Sequence, residues 1–269
     1  MRQKIVLITG GSSGIGRSIG LHLQSKGYKV YGTTRNLENY PEFSDFQLIE
    51  LDVRNNDSIA RAIDNLIAAE GYLDVLINNA GIGITGPIEE TPEAEIKKVF
   101  ATNFHGPINT ARAVLPQMRK QNSGLIINIT SIAGYMGLPF RGIYSASKGA
   151  LELLTEALRM ETKDFGIKIT NLAPGDFATN IAAGRYHAPA NSDSPYYKSY
   201  SKSLAIIDDH VQEGQDPIKV AEIVFRIINT KNPKVHYKVG STMQKFSLVL
   251  KKILPDKLYE RLLLNHYKL

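Results

Sequence analysis

Three residues in the middle of the chain carry side chains that could move a proton together: Ser131, Tyr144 and Lys148. Tyr144 and Lys148 lie four apart in Ile143-Tyr144-Ser145-Ala146-Ser147-Lys148. The run behind them, Gly149 to Thr162, sets Leu151, Leu154, Ala157 and Leu158 among helix formers. That pattern predicts a helix with the phenol and the amine near its start, on one face. A phenol is a poor acid at neutral pH, with an unperturbed pKa of about 10. An ammonium one turn away favours the phenolate and lowers that value. Tyr144 then becomes a usable general acid or base toward a carbonyl or alcohol oxygen. Ser131 closes an apolar run, Leu125 to Ile129, that reads as a buried strand, and its hydroxyl could hold the same oxygen. Alone, a Tyr-x-x-x-Lys pair says little, because many surface helices carry one.

The elements that must position this chemistry begin at the N-terminus. Lys4 to Thr9 is an apolar strand, followed at once by Gly10-Gly11-Ser12-Ser13-Gly14-Ile15-Gly16 and a helix from about Arg17 to Ser25 that closes at Gly27. Strand, glycine turn and helix together present backbone N–H groups and a helix N-terminus to a phosphate. Gly11-x-x-x-x-Gly16-Arg17-Ser18 nearly matches a P-loop, but Arg17 stands where that motif needs lysine. The strict three-glycine dinucleotide spacing also fails, at Ile19. Thr-Gly-x-x-x-Gly-x-Gly does fit, at Thr9, Gly10, Gly14 and Gly16.

That motif, with Asn78-Asn79-Ala80-Gly81, Ser131 and Tyr144-x-x-x-Lys148 in this order, resembles the short-chain dehydrogenase/reductase family over Lys4 to about Thr179. The resemblance implies that Ser131, Tyr144 and Lys148 are catalytic, with Asn103 as a fourth member that kinks its helix and holds a water linking the lysine to solvent. The alternative for Asn103 is a simple side-chain bond to the backbone. The resemblance also implies cofactor contacts at Gly10, Ser12, Ser13, Gly14, Ile15, Gly16 and Asn79, with Asp52 and Val53 at the adenine. It implies further contacts at Tyr144, Lys148, Pro174, Gly175, Phe177 and Thr179.

Between these motifs the chain alternates. Tyr28 to Thr34, Phe46 to Leu51, Leu73 to Asn78, Ile167 to Leu172 and Val235 to Val239 read as strands. Asp57 to Glu70, with Ile59, Ile63, Leu66 and Ile67 as a stripe, reads as a helix, as does Ile218 to Ile228. Glu93 to about Arg119 reads as one long or kinked helical region. Alternation of this kind predicts a single doubly wound α/β domain, a parallel sheet with helices on both faces and its ligand at the carboxyl ends of the strands. The domain is expected over 1–240, with a polar substrate lid over 176–214 that carries Tyr196, Tyr197 and Tyr200. Residues 241–269 are expected to form a helical extension of the same domain.

The second strand decides the cofactor. An NAD site would carry an acid near that strand's end to hold the ribose diol. Here Thr33-Thr34-Arg35-Asn36 follows, with no acid until Glu38. Arg35 could take a 2′-phosphate through charge-assisted hydrogen bonds; otherwise it is a solvated loop arginine. The missing acid favours NADP(H).

The chain has 269 residues, a formal charge of +6 and no cysteine. Disulfides, thiolate chemistry and Cys-ligated metals are therefore excluded, and no histidines pair at metal-ligand spacing. The positive charge suits a nucleotide, while the lack of a Lys/Arg block with interleaved aromatics speaks against nucleic acid. Met1-Arg2-Gln3-Lys4 runs straight into a strand, so no signal peptide is expected and the expected location is cytoplasmic. Family members commonly pair through two long helices, which implies a homodimer or homotetramer. Met243, Phe246, Leu250 and Ile253 recur at helical spacing beside Lys245, Lys251 and Lys252, and Leu258, Leu262 and Leu263 follow Pro255. Such a tail over 242–264 packs on its own domain or a neighbouring subunit, or lies on an anionic membrane surface.

These features predict an NADPH-dependent carbonyl reductase, or the reverse alcohol dehydrogenase, without a metal. The lid and tail point to a lipophilic ketone, steroid-like or long-chain such as a 3-ketosphingoid base, with small ketones as an alternative. A non-catalytic NADP(H)-binding redox sensor and a P-loop nucleotidase are the competing classes.

Overall fold

Central strands of a parallel sheet are covered on both faces, so they read as unbroken apolar runs. β1 (Ile5–Ile8) is such a run, and β4 (Val75–Asn78) and β6 (Gly124–Ile129) are broken only by the buried Asn78 and Asn128. A computed structural model describes residues 2–177, 184–212 and 214–269, with only the backbone of 208–212. In it these strands join β2 (Lys29–Thr34), β3 (Gln47–Glu50), β7 (Ile167–Pro174) and β9 (His236–Val239). The resulting seven-stranded parallel sheet has the order β3-β2-β1-β4-β6-β7-β9. The order runs outward from β1 to β3, then returns to place β4 on β1's other side. That reversal opens a crevice at the carboxyl ends of β1 and β4.

Alternation along β1 sorts the two cores. Val6 and Ile8 pack with α1 (Gly14–Ser25) and α7 (Ile218–Ile228) through Ile19, Leu23, Val220 and Val224. Ile5 and Leu7 face the other layer, α2 (Asn56–Glu70) and α4 (Gly106–Lys120), through Ile63, Leu66, Val114 and Met118. This is the doubly wound architecture that the strand–helix alternation predicts.

The helical region from Glu93 is interrupted as expected. α3 (Glu93–Phe100) passes through a π-helical segment, Ala101–His105, into α4. α5 (Gly142–Glu161) begins before Tyr144, so both Tyr144 and Lys148 are inside its first turns.

The expected lid is more structured than its polar composition suggests. β8 (Tyr186–His187) pairs with β5 (Ile84–Thr85) in a small parallel sheet, and α6 (Tyr197–Gln212) follows. The tyrosine cluster divides. Tyr200 is buried and donates to the Ala188 carbonyl at 2.9 Å, and Tyr196 donates to Glu89 at 2.6 Å, while Tyr197 is exposed. Two of the three therefore anchor α6 and its connection to the body. The C-terminal pair, α8 (Thr242–Ile253) and α9 (Asp256–His266), packs through Leu248 and Tyr259 on Ile132 and Met136. Among the described residues no helix is long and apolar enough to cross a membrane.

Candidate active site

The turn after β1 has the backbone that its glycines permit. Gly10 and Gly14 hold φ of +64° and +53°, a region costly for residues with a Cβ. The next turn clamps it from the side. Thr9 Oγ1 accepts from the N–H groups of Asn79 and Ala80, each at 3.0 Å, and Asn79 Nδ2 donates to the carbonyls of Thr9 and Gly10, each at 3.0 Å. Ser13 is the N-cap of α1, but its side chain makes no capping bond. The first N–H groups of α1 are thus left open toward the cleft, as an anion site requires. Gly10, Ser12, Ser13, Gly14 and Ile15 line the cleft there. Gly16 does not. A Cβ on it would sit 2.3 Å from the Gly10 carbonyl oxygen, so glycine there permits close packing of turn on helix.

Toward β2 and β3 the cleft is lined by Arg35, Asp52 and Val53, as expected, and also by Arg54, Tyr40 and Lys98. Glu38, the first acid after β2, does not line it. Asp52 is occupied by Arg54, whose Nη2 lies 2.6 Å from Oδ2, and that hydrogen bond holds the Asp52 carboxyl below the usual carboxylate range. Among the described lining residues the carboxylate is Asp52, paired with Arg54, and Arg35 stands beside it.

At the other end Ser131, Tyr144, Lys148, Pro174, Gly175 and Phe177 line a pocket that shares Ile15, Asn79, Gly81 and Ile82 with the first. The two are one continuous cleft. Its glycine cradle, open helix N-terminus and arginine fit a dinucleotide laid across the strand ends. Lys148 is buried, and its Nζ donates to the Ile129 carbonyl at 2.9 Å. Burial pushes its pKa down, while Tyr144 and Glu152 act the other way. Ser131 Oγ accepts from Ala133 N–H at 3.1 Å, which orients the hydroxyl at the end of β6.

Asn103 sits in the π-helical segment and is fully buried. Its Oδ1 accepts from Ile82 N–H at 2.9 Å, and its Nδ2 donates to the Ile82 carbonyl at 2.9 Å and to Ser147 Oγ at 3.2 Å. These bonds to both backbone groups of Ile82 fix the loop below the cleft. A Cβ at Gly81 would lie 3.3 Å from Asn103 Oδ1 and 3.4 Å from Lys148 Nζ, so a larger residue there would press on both. Thr179 lies outside the described residues, as does part of the expected lid.

Several site residues escaped the sequence reading. Glu152 continues the i, i+4 series of Tyr144 and Lys148 and is buried, accepting from Tyr135 at 2.6 Å, from Asn171 at 2.8 Å and lying 2.8 Å from His236 Nδ1. The spacing along α5 was a usable signal for it. Arg141 lines the pocket with its guanidinium 5.5 Å from the Tyr144 ring centre, and its charge acts on the buried Tyr267 near the C-terminus. Asp176 lines the pocket and accepts from Gln244 Nε2 at 2.6 Å. Nothing local in the sequence links residues 141, 176, 244 and 267.

A family model for short chain dehydrogenases matches residues 4–189. A 3-ketodihydrosphingosine reductase of Bacteroides thetaiotaomicron is 40% identical over 261 residues, covering 97% of this chain and 96% of that protein. The crystal structure of a short-chain dehydrogenase from Streptomyces avermitilis superposes with a TM-score of 0.82 at 31% identity, covering 100% of this chain and 97% of that one. ElxO with NADP bound gives 0.72 at 29%, covering 89% and 98%. The glycine turn, the parallel sheet and the Ser131, Tyr144 and Lys148 cleft thus belong to a known lineage: the chain is a member of the short-chain dehydrogenase/reductase family of oxidoreductases.

Proposed function

We propose that this chain reduces a lipophilic ketone with NADPH, the proton coming from Tyr144. The observation that carries the reading is Lys148: a buried ammonium one turn from Tyr144, in the cleft that the glycine turn opens. A cation held there lowers the cost of losing the phenol proton. Tyr144 donates its proton to the nascent alkoxide, and the Ser131 hydroxyl holds the same oxygen. Lys148 would also hold the nicotinamide ribose. A bound nicotinamide supplies or accepts the hydride at C4. In the reverse direction Tyr144 takes the proton back.

Arg35 in the cleft, beside an Asp52 already paired with Arg54, favours NADPH, and the NADP-bound ElxO structure is consistent with that choice. The similarity to a 3-ketodihydrosphingosine reductase favours a long-chain keto compound of the sphingoid type over a steroid. With Ser131, Tyr144 and Lys148 all present, a non-catalytic sensor is the weaker reading. A second copy is proposed to pair along α5, where Leu153 and Met160, seven apart on one face, are exposed.

Tyr144→Phe keeps the ring and removes the proton donor. Turnover should fall by roughly 100- to 10,000-fold while NADPH affinity stays near that of the parent. A variant that retains more than half of kcat would remove Tyr144 from the mechanism.

A further inference from the structure

Helix α8 turns an apolar side outward. Leu248 is its buried residue, packed with Ile132, Met136 and Tyr259. On the far side Met243, Phe246, Val249 and Ile253 are 75%, 52%, 49% and 68% exposed. At about 100° per residue these four span an arc of roughly 120° facing away from Leu248. Lys245 and Lys252 border that arc on one side, and Lys251, paired with Asp256 at 3.2 Å, borders it on the other. The helix contains no acid. A helix packed on its own domain ordinarily presents polar residues to water, and α8 does the reverse.

We propose that this face docks on an anionic lipid bilayer. An apolar wedge rimmed by lysines matches the layering of such a surface, acyl chains below and negative headgroups beside them. A second copy fits less well. A twofold contact sets a patch against itself, which would bring lysine rows onto lysine rows. Gln244, on the side of α8 turned toward Leu248, donates to Asp176 at 2.6 Å, so a bilayer seated on the outer face would lie one helix away from the pocket that Asp176 lines. The proposal does not depend on which ketone is reduced, since binding is measured without turnover.

The test is co-sedimentation of the full chain with vesicles of phosphatidylcholine carrying about 30% phosphatidylglycerol, set against phosphatidylcholine alone. The protein should pellet with the anionic vesicles and be released by high salt. Phe246→Ser/Ile253→Ser should weaken that partition about tenfold, with melting temperature and NADPH binding unchanged because both sites are exposed. Lys245→Glu/Lys252→Glu should abolish the preference for anionic vesicles. Failure of the parent protein to pellet, or equal pelleting of the parent and the serine variant, overturns the proposal. A molar mass that halves in the serine variant by light scattering would assign the face to a second copy and overturn it equally.

Discussion

At Lys148 the fold keeps an amine where burial opposes its charge, with Tyr144 and Glu152 opposing that effect. The free-energy consequence has a definite sign. A lysine whose folded pKa is lowered binds fewer protons in the native than in the unfolded chain between that lowered value and its ordinary 10.5. Stability from this group therefore rises as pH rises through that window. Lys148→Met has no such titration. Thermal melts of parent and variant from neutral to alkaline pH should show the parent gaining on the variant as pH rises. A constant gap would mean that Lys148 is not strained by burial. Arg35 is the other decisive residue. Losing a hydrogen bond to a charged group costs about 1.5–3 kcal/mol, roughly ten- to a hundredfold in affinity. Arg35→Ala should weaken NADPH by that factor and leave NADH nearly unchanged, by fluorescence titration. Equal weakening of both would make Arg35 structural.

Among elements, the glycine turn has the least room. A Cβ at Gly16 would meet the Gly10 carbonyl oxygen at 2.3 Å and Asn79 Nδ2 at 2.5 Å. Backbone and a clamped amide yield poorly, so Gly16→Ala should destabilise the chain by about 1–3 kcal/mol and weaken NADPH binding with it. Denaturant midpoints and cofactor titration check both; a parent-like midpoint would refute the packing role. This turn was legible in the sequence because strand, glycines and helix are adjacent and each obeys a local rule. The same holds for α5, whose spacing places Tyr144 and Lys148 together. β5 and β8 were not legible: two residues each, joined across 102 positions by Thr85 and His187 at 2.9 Å. α6 was hidden by its polar composition, since its anchor is the long-range bond from Tyr200 to Ala188.

The whole molecule brings these parts together at the switch point between β1 and β4. The glycine turn, Arg35 and the Ser131, Tyr144 and Lys148 cluster lie along one cleft, and α8 reaches Asp176 at its edge through Gln244. The proposed long-chain substrate would gain from contact with apolar surface, because each buried methylene contributes about 0.8 kcal/mol. Oxidation of NADPH against a graded set of ketones, from short-chain to steroid and 3-ketosphingoid, tests this most directly. The account predicts kcat/KM rising with chain length, highest for the long-chain keto compound and much lower with NADH. Equal rates for all chain lengths, or a preference for NADH, would contradict it.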